Sequence, residues 1–179
     1  GSLIRPEATG YGSTYFAAEM LATRGETLEG KTCLVSGSGN VAQYTLEKLI
    51  DLGAKPVTFS DSSGYVYDPA GIDRDKLNYL MKLKNIQRGR VSQYVEQYPD
   101  ATFTPVNPEL DYNPLWDHKA QCAFPSATQN EVNEKDAQPM ALGYVADTNK
   151  ADGKKFPKHA ATQTCANCAL FQGKAGASS

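Results

Sequence analysis

The sequence predicts an α/β fold, a partial doubly wound parallel sheet followed by an irregular C-terminal extension. Three observations carry that prediction. A strand, a glycine turn, a helix and a second strand follow one another between Lys31 and Asp61, which over about thirty residues is a βαβ unit with a right-handed crossover. The glycines fall where a phosphate-binding turn needs them. From about Asp147 to Lys158 the composition shifts to Asp, Lys, Asn and Gly, which gives a loop or tail little to bury.

Taken in order, Ser13 or Thr14 is placed to cap a helix running to about Thr23, with Tyr15, Phe16, Met20 and Leu21 on its apolar face and Gly25 ending it. Residues 32–36 are short, apolar and partly β-branched, as a buried strand is. Residues 40–52 have helical periodicity through Val41, Leu46, Leu49 and Ile50, closed by Gly53. Residues 57–60 form the second strand. Segments 73–84 and 91–98 read as amphipathic helices, the latter stopped by Pro99. Segments 101–104 and 121–124 complete four strands, separated by the proline-rich run PVNPELDYNPLWD. In the usual doubly wound order, the strands near Ala101, Val57, Thr32 and Gln121 lie side by side. The last is then an edge with unpaired backbone groups, and self-association through it is expected.

Bulk composition narrows the function. A chain of 179 residues, 40% hydrophobic with ten tyrosines, suits one domain with an appendage and a real core. A net charge of −2 gives no electrostatic reason to expect a nucleic acid or an anionic membrane as partner. No apolar run approaches the ~18–20 residues of a membrane span. The opening GSLIRPEATGYG has neither the basic flank nor the apolar stretch of an export signal. Cys33, Cys122, Cys165 and Cys168 are too sparse for a disulfide scaffold, so a cytoplasmic protein is expected. Cys33 and Cys122 read as small buried core residues. His118 and His159 lack partners at metal-ligand spacing and read as exposed.

Gly37-Ser38-Gly39-Asn40-Val41-Ala42 fits G-x-G-x-x-A between strand and helix. The chemistry asks for Gly37 in a tight turn and Gly39 where backbone approaches a pyrophosphate. Ala42 is small enough for helix–strand packing, and the helix N-terminus offers free N–H groups to the phosphates. Asp61 lies 22 residues after Gly39 at the end of the second strand, where a ribose-binding acid belongs. The sheet is therefore Rossmann-like, and its ligand a dinucleotide.

The run SLIRPEATGYG…LEGKTCLVSGSGNVAQYTLEKLIDLGAKPVTFSDSSGYVYD…LKNIQRGRVSQY…PLWDHKAQCAFPSATQNEVNEKDA resembles the nucleotide-binding domain of hexameric glutamate dehydrogenases over residues 1–137. The resemblance implies that Arg5 and Thr9 lie near the nicotinamide end of the cofactor. Ser38, Asn40 and Val41 belong to the phosphate turn, and Ala127, Thr128, Gln129 and Asn130 line the nicotinamide riboside. Ser60-Asp61-Ser62 with Lys84 is similar to members using the 2′-phosphorylated cofactor, since hydroxyls and a lysine hold a phosphate that a bare aspartate repels. An arginine that some of those members carry three residues after the lysine is Gln87 here, with Arg88 and Arg90 close by. The choice between NAD and NADP stays open. In that family a substrate domain bearing the catalytic lysines precedes this segment, so the segment alone is expected to bind without turnover and no catalytic residue is assigned.

Residues 138–179 resemble the front of a high-potential iron–sulfur protein. Tyr144 matches a tyrosine that packs on the cluster, and Cys165 and Cys168 match the first two ligands, spaced C-x-x-C. The third and fourth ligands of that family have no counterpart here, so a [4Fe–4S] cluster, which wants four, is not expected. A local disulfide, adventitious zinc or free thiols are the alternatives for the pair. Both families pass through a stretch like that near residue 135, which makes it the expected junction of a chimera with two incomplete parts.

Overall fold

The computed structural model describes residues 5–133. The expectations for residues 134–179, including Tyr144, Cys165 and Cys168, lie outside the described residues. Helix α1 (Ala8–Ala22) leads into β1 (Thr32–Val35), α2 (Asn40–Asp51), β2 (Lys55–Pro56), β3 (Thr58–Asp61), β4 (Gly64–Tyr67) and α3 (Arg74–Met81). A π-helical turn (Lys82–Ile86), a 3-10 turn (Val91–Gln93) and the short α4 (Tyr94–Gln97) follow. β5 (Thr102–Pro105), a 3-10 turn (Pro114–Asp117) and β6 (Cys122–Phe124) complete the order.

Helix α1 starts at Ala8, earlier than its capping residues predicted. Ser13 and Thr14 do not cap it; both hydroxyls donate back to the Gly10 carbonyl, at 2.9 and 3.0 Å. Gly10 and Gly12 depress helix propensity locally, but Gly10 is the point at which α1 crosses α2. A Cβ there would stand 2.7 Å from both the Thr45 nitrogen and the Val41 oxygen. Close helix packing overrides the propensity. Helix α3 is capped by Asp73, whose carboxylate accepts from the Lys76 N–H at 2.9 Å.

β1 pairs in parallel with β2 on one side and β6 on the other, with Cys33 opposite Cys122 and Val35 opposite Phe124. The connection from β2 into β3 keeps alongside β1. Val57 N–H donates to the Cys33 carbonyl at 3.0 Å and Ser60 N–H to the Gly37 carbonyl at 3.0 Å. Between them the Thr58 hydroxyl accepts from Val35 N–H (2.8 Å) and donates to the Val35 carbonyl (3.0 Å). β3 then turns into the antiparallel β4, which pairs antiparallel with β5. The expected order of four adjacent strands is therefore corrected. An unforeseen strand, Gly-Tyr-Val-Tyr, stands between the strands near Val57 and Ala101, entered by a tight turn that Asp61 braces. Gly64 at its start has φ +154°, and a Cβ there would fall 2.2 Å from the Thr104 carbonyl, so glycine admits the third strand.

Side chains alternate along β1 and β4 as the pleat requires, and the break between β2 and β3 sets Val57 and Phe59 on opposite faces. Cys33, Val35, Phe59 and Val66 join Ala42, Leu46 and Leu49 of α2 and Leu77 and Leu80 of α3 in one core. Leu34, Val57 and Tyr65 face the other way, onto Leu115 and Trp116. Among the described residues nothing pairs with the outer edge of β6. Beside it runs a groove of about 250 Å³ bounded by Phe16 and Met20 of α1 and by Phe124 and Pro125. No helix among the described residues is long and apolar enough to cross a membrane.

Candidate functional site

The glycine turn leaves the C-terminal end of β1. Gly37 has φ +80°, and a Cβ on it would meet the Ser126 oxygen at 2.9 Å and the Ala127 Cα at 3.0 Å. Glycine thus lets the turn lie against the segment leaving β6. Ser60 clamps its other side, its hydroxyl accepting from Gly37 N–H at 2.7 Å. The Ser36 hydroxyl accepts from Ser126 N–H at 2.9 Å and fixes the segment beyond β6. Buried Gln43 reaches back to donate to the Ser38 carbonyl at 2.8 Å.

Gly39 precedes α2 in an extended conformation, with no side-chain cap on the helix and no acidic residue in its first turn. The first N–H groups of a helix lack intrahelical acceptors, and the helix dipole favours an anion there. A Cβ on Gly39 would meet no protein atom within 4 Å. The space it would take belongs to a cavity of about 500 Å³ that runs along the turn. Those features fit a pyrophosphate lying on the turn.

Gly37, Ser38, Gly39, Asn40, Val41, Asp61, Ser62, Ala127 and Thr128 all line this cavity. Gln129 and Asn130 are exposed and are not among its lining residues. Arg5 and Thr9 are exposed at the entry to α1. The Asn40 side chain donates to the Pro6 carbonyl and so ties that entry to the phosphate turn. Asn113, Ser126 and Glu131 also line the cavity without having been singled out. They come from loops with no motif, although Glu131, accepting from Ala127 N–H at 2.9 Å, braces the turn after β6.

Asp61 differs from a bare ribose-binding acid. One oxygen accepts from the N–H and hydroxyl of Ser63, at 2.8 and 2.6 Å. The other accepts from Lys84 Nζ at 2.9 Å and Val91 N–H at 3.0 Å. Burial pushes this carboxyl up, but the bonds from Ser63, Lys84 and Val91 outweigh it and pull it down to about 2. Four donors match the accepting capacity of a carboxylate, so Asp61 is committed to holding the β3–β4 turn and the Lys84 ammonium in place. Beside it the Arg90 guanidinium donates to the Ser62 hydroxyl at 2.8 Å. Lys84 and Arg90 are not among the cavity's lining residues, but each is tied to one that is, Lys84 to Asp61 and Arg90 to Ser62.

A second cavity of about 300 Å³ shares Ser60, Asp61 and Asn113 with the first and is walled by Tyr65, Val106, Leu110 and Tyr112. Tyr65 OH lies 3.3 Å from His118 Nε2. His118 stacks on Tyr67 at 3.9 Å between ring centroids. It is half-buried rather than exposed as expected, because its neighbours come from the unforeseen strand β4. No group of three or more His, Cys, Asp or Glu among the described residues could hold a metal ion.

The family model described as Glutamate/Leucine/Phenylalanine/Valine dehydrogenase matches residues 1–149, and that described as High potential iron-sulfur protein matches residues 131–179. An NAD(P)-specific glutamate dehydrogenase of Xylanibacter ruminicola is 59% identical over 145 residues, covering 81% of this chain and 31% of that protein. An NADP-specific glutamate dehydrogenase of Haemophilus influenzae is 54% identical over 157 residues, 88% of this chain and 33% of that protein. The solved structure of Plasmodium falciparum glutamate dehydrogenase 2 superposes with a TM-score of 0.69 at 48% identity, over 78% of this chain and 29% of that one. The chain thus spans about a third of the length of these relatives.

Proposed function

This chain belongs to the glutamate/leucine/phenylalanine/valine dehydrogenase family, and on that premise we propose that it binds the dinucleotide cofactor of a glutamate dehydrogenase. The observation that carries the proposal is the uncapped start of α2 facing open space at Gly39. The pyrophosphate lies across residues 37–42 and the adenosine ribose near Ser62, with the adenine in the cavity walled by Tyr65 and Leu110. Ala127 and Thr128 face the nicotinamide end, the part of the cofactor that accepts hydride when bound. As an isolated polypeptide the chain binds without oxidising glutamate, a reaction that belongs to the longer relatives. Its proposed location is the cytoplasm.

The cofactor we favour is NADP. With Asp61 paired to Lys84 and saturated by donors, its charge is offset where a 2′-phosphate would sit, and Ser62 and Arg90 lie beside it. Titration of the purified chain with NADPH and NADH, followed by nucleotide fluorescence, tests both levels of the proposal. Saturable binding of either supports the site, and tighter binding of NADPH supports the choice. An Arg90→Ala variant is expected to weaken NADPH by about 1.5–3 kcal/mol, the worth of a hydrogen bond to a charged group, and to leave NADH unchanged. Equal losses for both would refute a phosphate contact.

A second reading follows from the match at residues 131–179: an electron-transfer segment in which two chains share one [4Fe–4S] cluster through Cys165 and Cys168. Iron content and broad visible absorption separate it from the first, in which the protein is colourless. Self-association through the open edge of β6 is part of our proposal. Light scattering should find dimers or larger species, and a single monomeric species at high concentration would count against it.

A further inference from the structure

Cys33 and Cys122 face each other as register partners on the parallel strands β1 and β6. Residues so paired project to the same side of a sheet, and neighbouring strands run ~4.8 Å apart, within the ~4.4–6.8 Å between Cα atoms that a disulfide spans. Both are free thiols. Both contribute to the apolar cluster beneath α1 and α2, Cys33 wholly buried within it and Cys122 half-buried at its margin. The sequence expectation of two small buried core residues holds for Cys33, whereas Cys122 is only half-buried.

We propose that this pair is a redox-modification site, oxidised by a hydroperoxide to a disulfide that joins β1 to β6. Accessibility divides the labour. Cys122 is the thiol a small oxidant reaches, and Cys33 is the neighbour that resolves it. The Cys33 thiol donates to the Lys31 carbonyl at 3.6 Å, and the Cys122 sulfur belongs to its register partner on β6. The single Cys33 proton turns to that sulfur once Cys122 ionises, because a hydrogen bond to a charged acceptor is the stronger. That bond lowers the Cys122 thiol below its ordinary value; burial opposes the shift, and the Lys31 ammonium assists it. The Cys33 thiol is raised by the same bond and by burial. Lys31 is held in place by Glu26 at 2.6 Å.

The chemistry balances in two steps. The Cys122 thiolate attacks one peroxide oxygen, the O–O bond breaks, and protonation of the departing hydroxide leaves a sulfenic acid and water. The Cys33 sulfur then attacks the sulfenic sulfur. The S–O bond breaks, the Cys33 proton leaves with the hydroxyl as a second water, and the disulfide remains. Two thiols are oxidised by two electrons and one peroxide is reduced to water. β6 leads directly into Ser126 and Ala127, which bear on the glycine turn, so the bond pins one wall of the nucleotide cavity to β1.

The test uses the purified full chain, reduced, desalted and exposed to hydrogen peroxide in small molar excess. Remaining thiols are then alkylated after denaturation and the chain is digested without reductant for mass mapping. We expect one pair of peptides linked through Cys33 and Cys122, two hydrogens lighter than their sum and separated again by dithiothreitol. Cys165 and Cys168 fall in another peptide and are scored separately. Cys33 still alkylatable while Cys122 has advanced to sulfinic acid, either cysteine linked to Cys165 or Cys168, or no reaction of Cys122 at all would each overturn the proposal. Mapping needs no variant, so it stands even if a core substitution fails to fold. In a folded Cys33→Ala variant the sulfenic acid has no resolving partner, and dimedone should label Cys122 roughly fivefold more than in the parent. Equal labelling would overturn the role given to Cys33.

Discussion

An Asp61→Asn variant is expected to lose about 3 kcal/mol of folding stability and most of its dinucleotide affinity. The carboxylate side chain is 9% exposed and Lys84 18%. Breaking a buried ion pair costs ~3–5 kcal/mol, and the residual exposure of Lys84 places this one at the lower end. The amide cannot substitute. Its nitrogen would put a donor against the ammonium of Lys84 and the N–H of Val91, or against the two donors of Ser63. The β3–β4 turn then loosens, and with it the end of the cavity where the adenosine is proposed to lie.

The same carboxylate gives an acid signature. Its folded value of about 2 lies below the ordinary 3.8, so its stabilising contribution is present above pH 3.8 and is lost as the pH falls toward 2. The difference amounts to roughly 2 kcal/mol. Urea unfolding at pH 7 and near pH 2.5 should show that increment in the parent and not in Asp61→Asn. A variant as stable as the parent at pH 7 would mean that the four hydrogen bonds hold nothing together.

The two glycines of the turn should fail in different ways. Gly37→Ala forces an L side chain to φ +80° and brings its Cβ within 2.9 Å of a backbone oxygen. Left-handed backbone costs ~1–2 kcal/mol and overpacking ~1–3 kcal/mol, so a loss of about 3 kcal/mol is expected, seen in chemical denaturation. Gly39→Val keeps an ordinary backbone, and its Cβ meets no protein atom within 4 Å. It should lose no more than about 1 kcal/mol, the cost of a poor cap. Its branched side chain instead occupies the approach to the helix N–H groups, and dinucleotide binding should weaken by about 1–3 kcal/mol. Stability falling at Gly37 with affinity falling at Gly39 would locate the ligand. If Gly39→Val binds like the parent, no pyrophosphate rests on that turn.

What the sequence disclosed was local. The strand at residues 32–36, the helix at residues 40–52 and the glycines between them are written in periodicity and turn chemistry that operate within a few residues. Strand β4 escaped notice because Gly-Tyr-Val-Tyr is too short to show alternation and follows a serine-rich turn directly. The start of α1 escaped because its two glycines argue against a helix, while the reason for Gly10 stands on α2. Asp61 was picked out for its spacing, but its partners Lys84 and Val91 lie 23 and 30 residues away. Nothing in the spacing could tell a carboxylate open to a ribose from one already saturated. Asn113, Ser126 and Glu131 reach the cavity from loops whose course no motif encodes.

At Thr58 the sheet is joined by a hydroxyl where a peptide group would ordinarily stand. A peptide group is carried by every residue, whereas this hydroxyl is carried by one side chain, so the N–H and carbonyl of Val35 both depend on the identity of residue 58. One rung beyond, Ser60 holds Gly37 from both its side chain and its backbone, so the glycine turn hangs from the same edge. Valine would match threonine in shape there and leave two buried backbone groups without this partner. At this edge the sheet is written in side-chain chemistry as well as in backbone pairing.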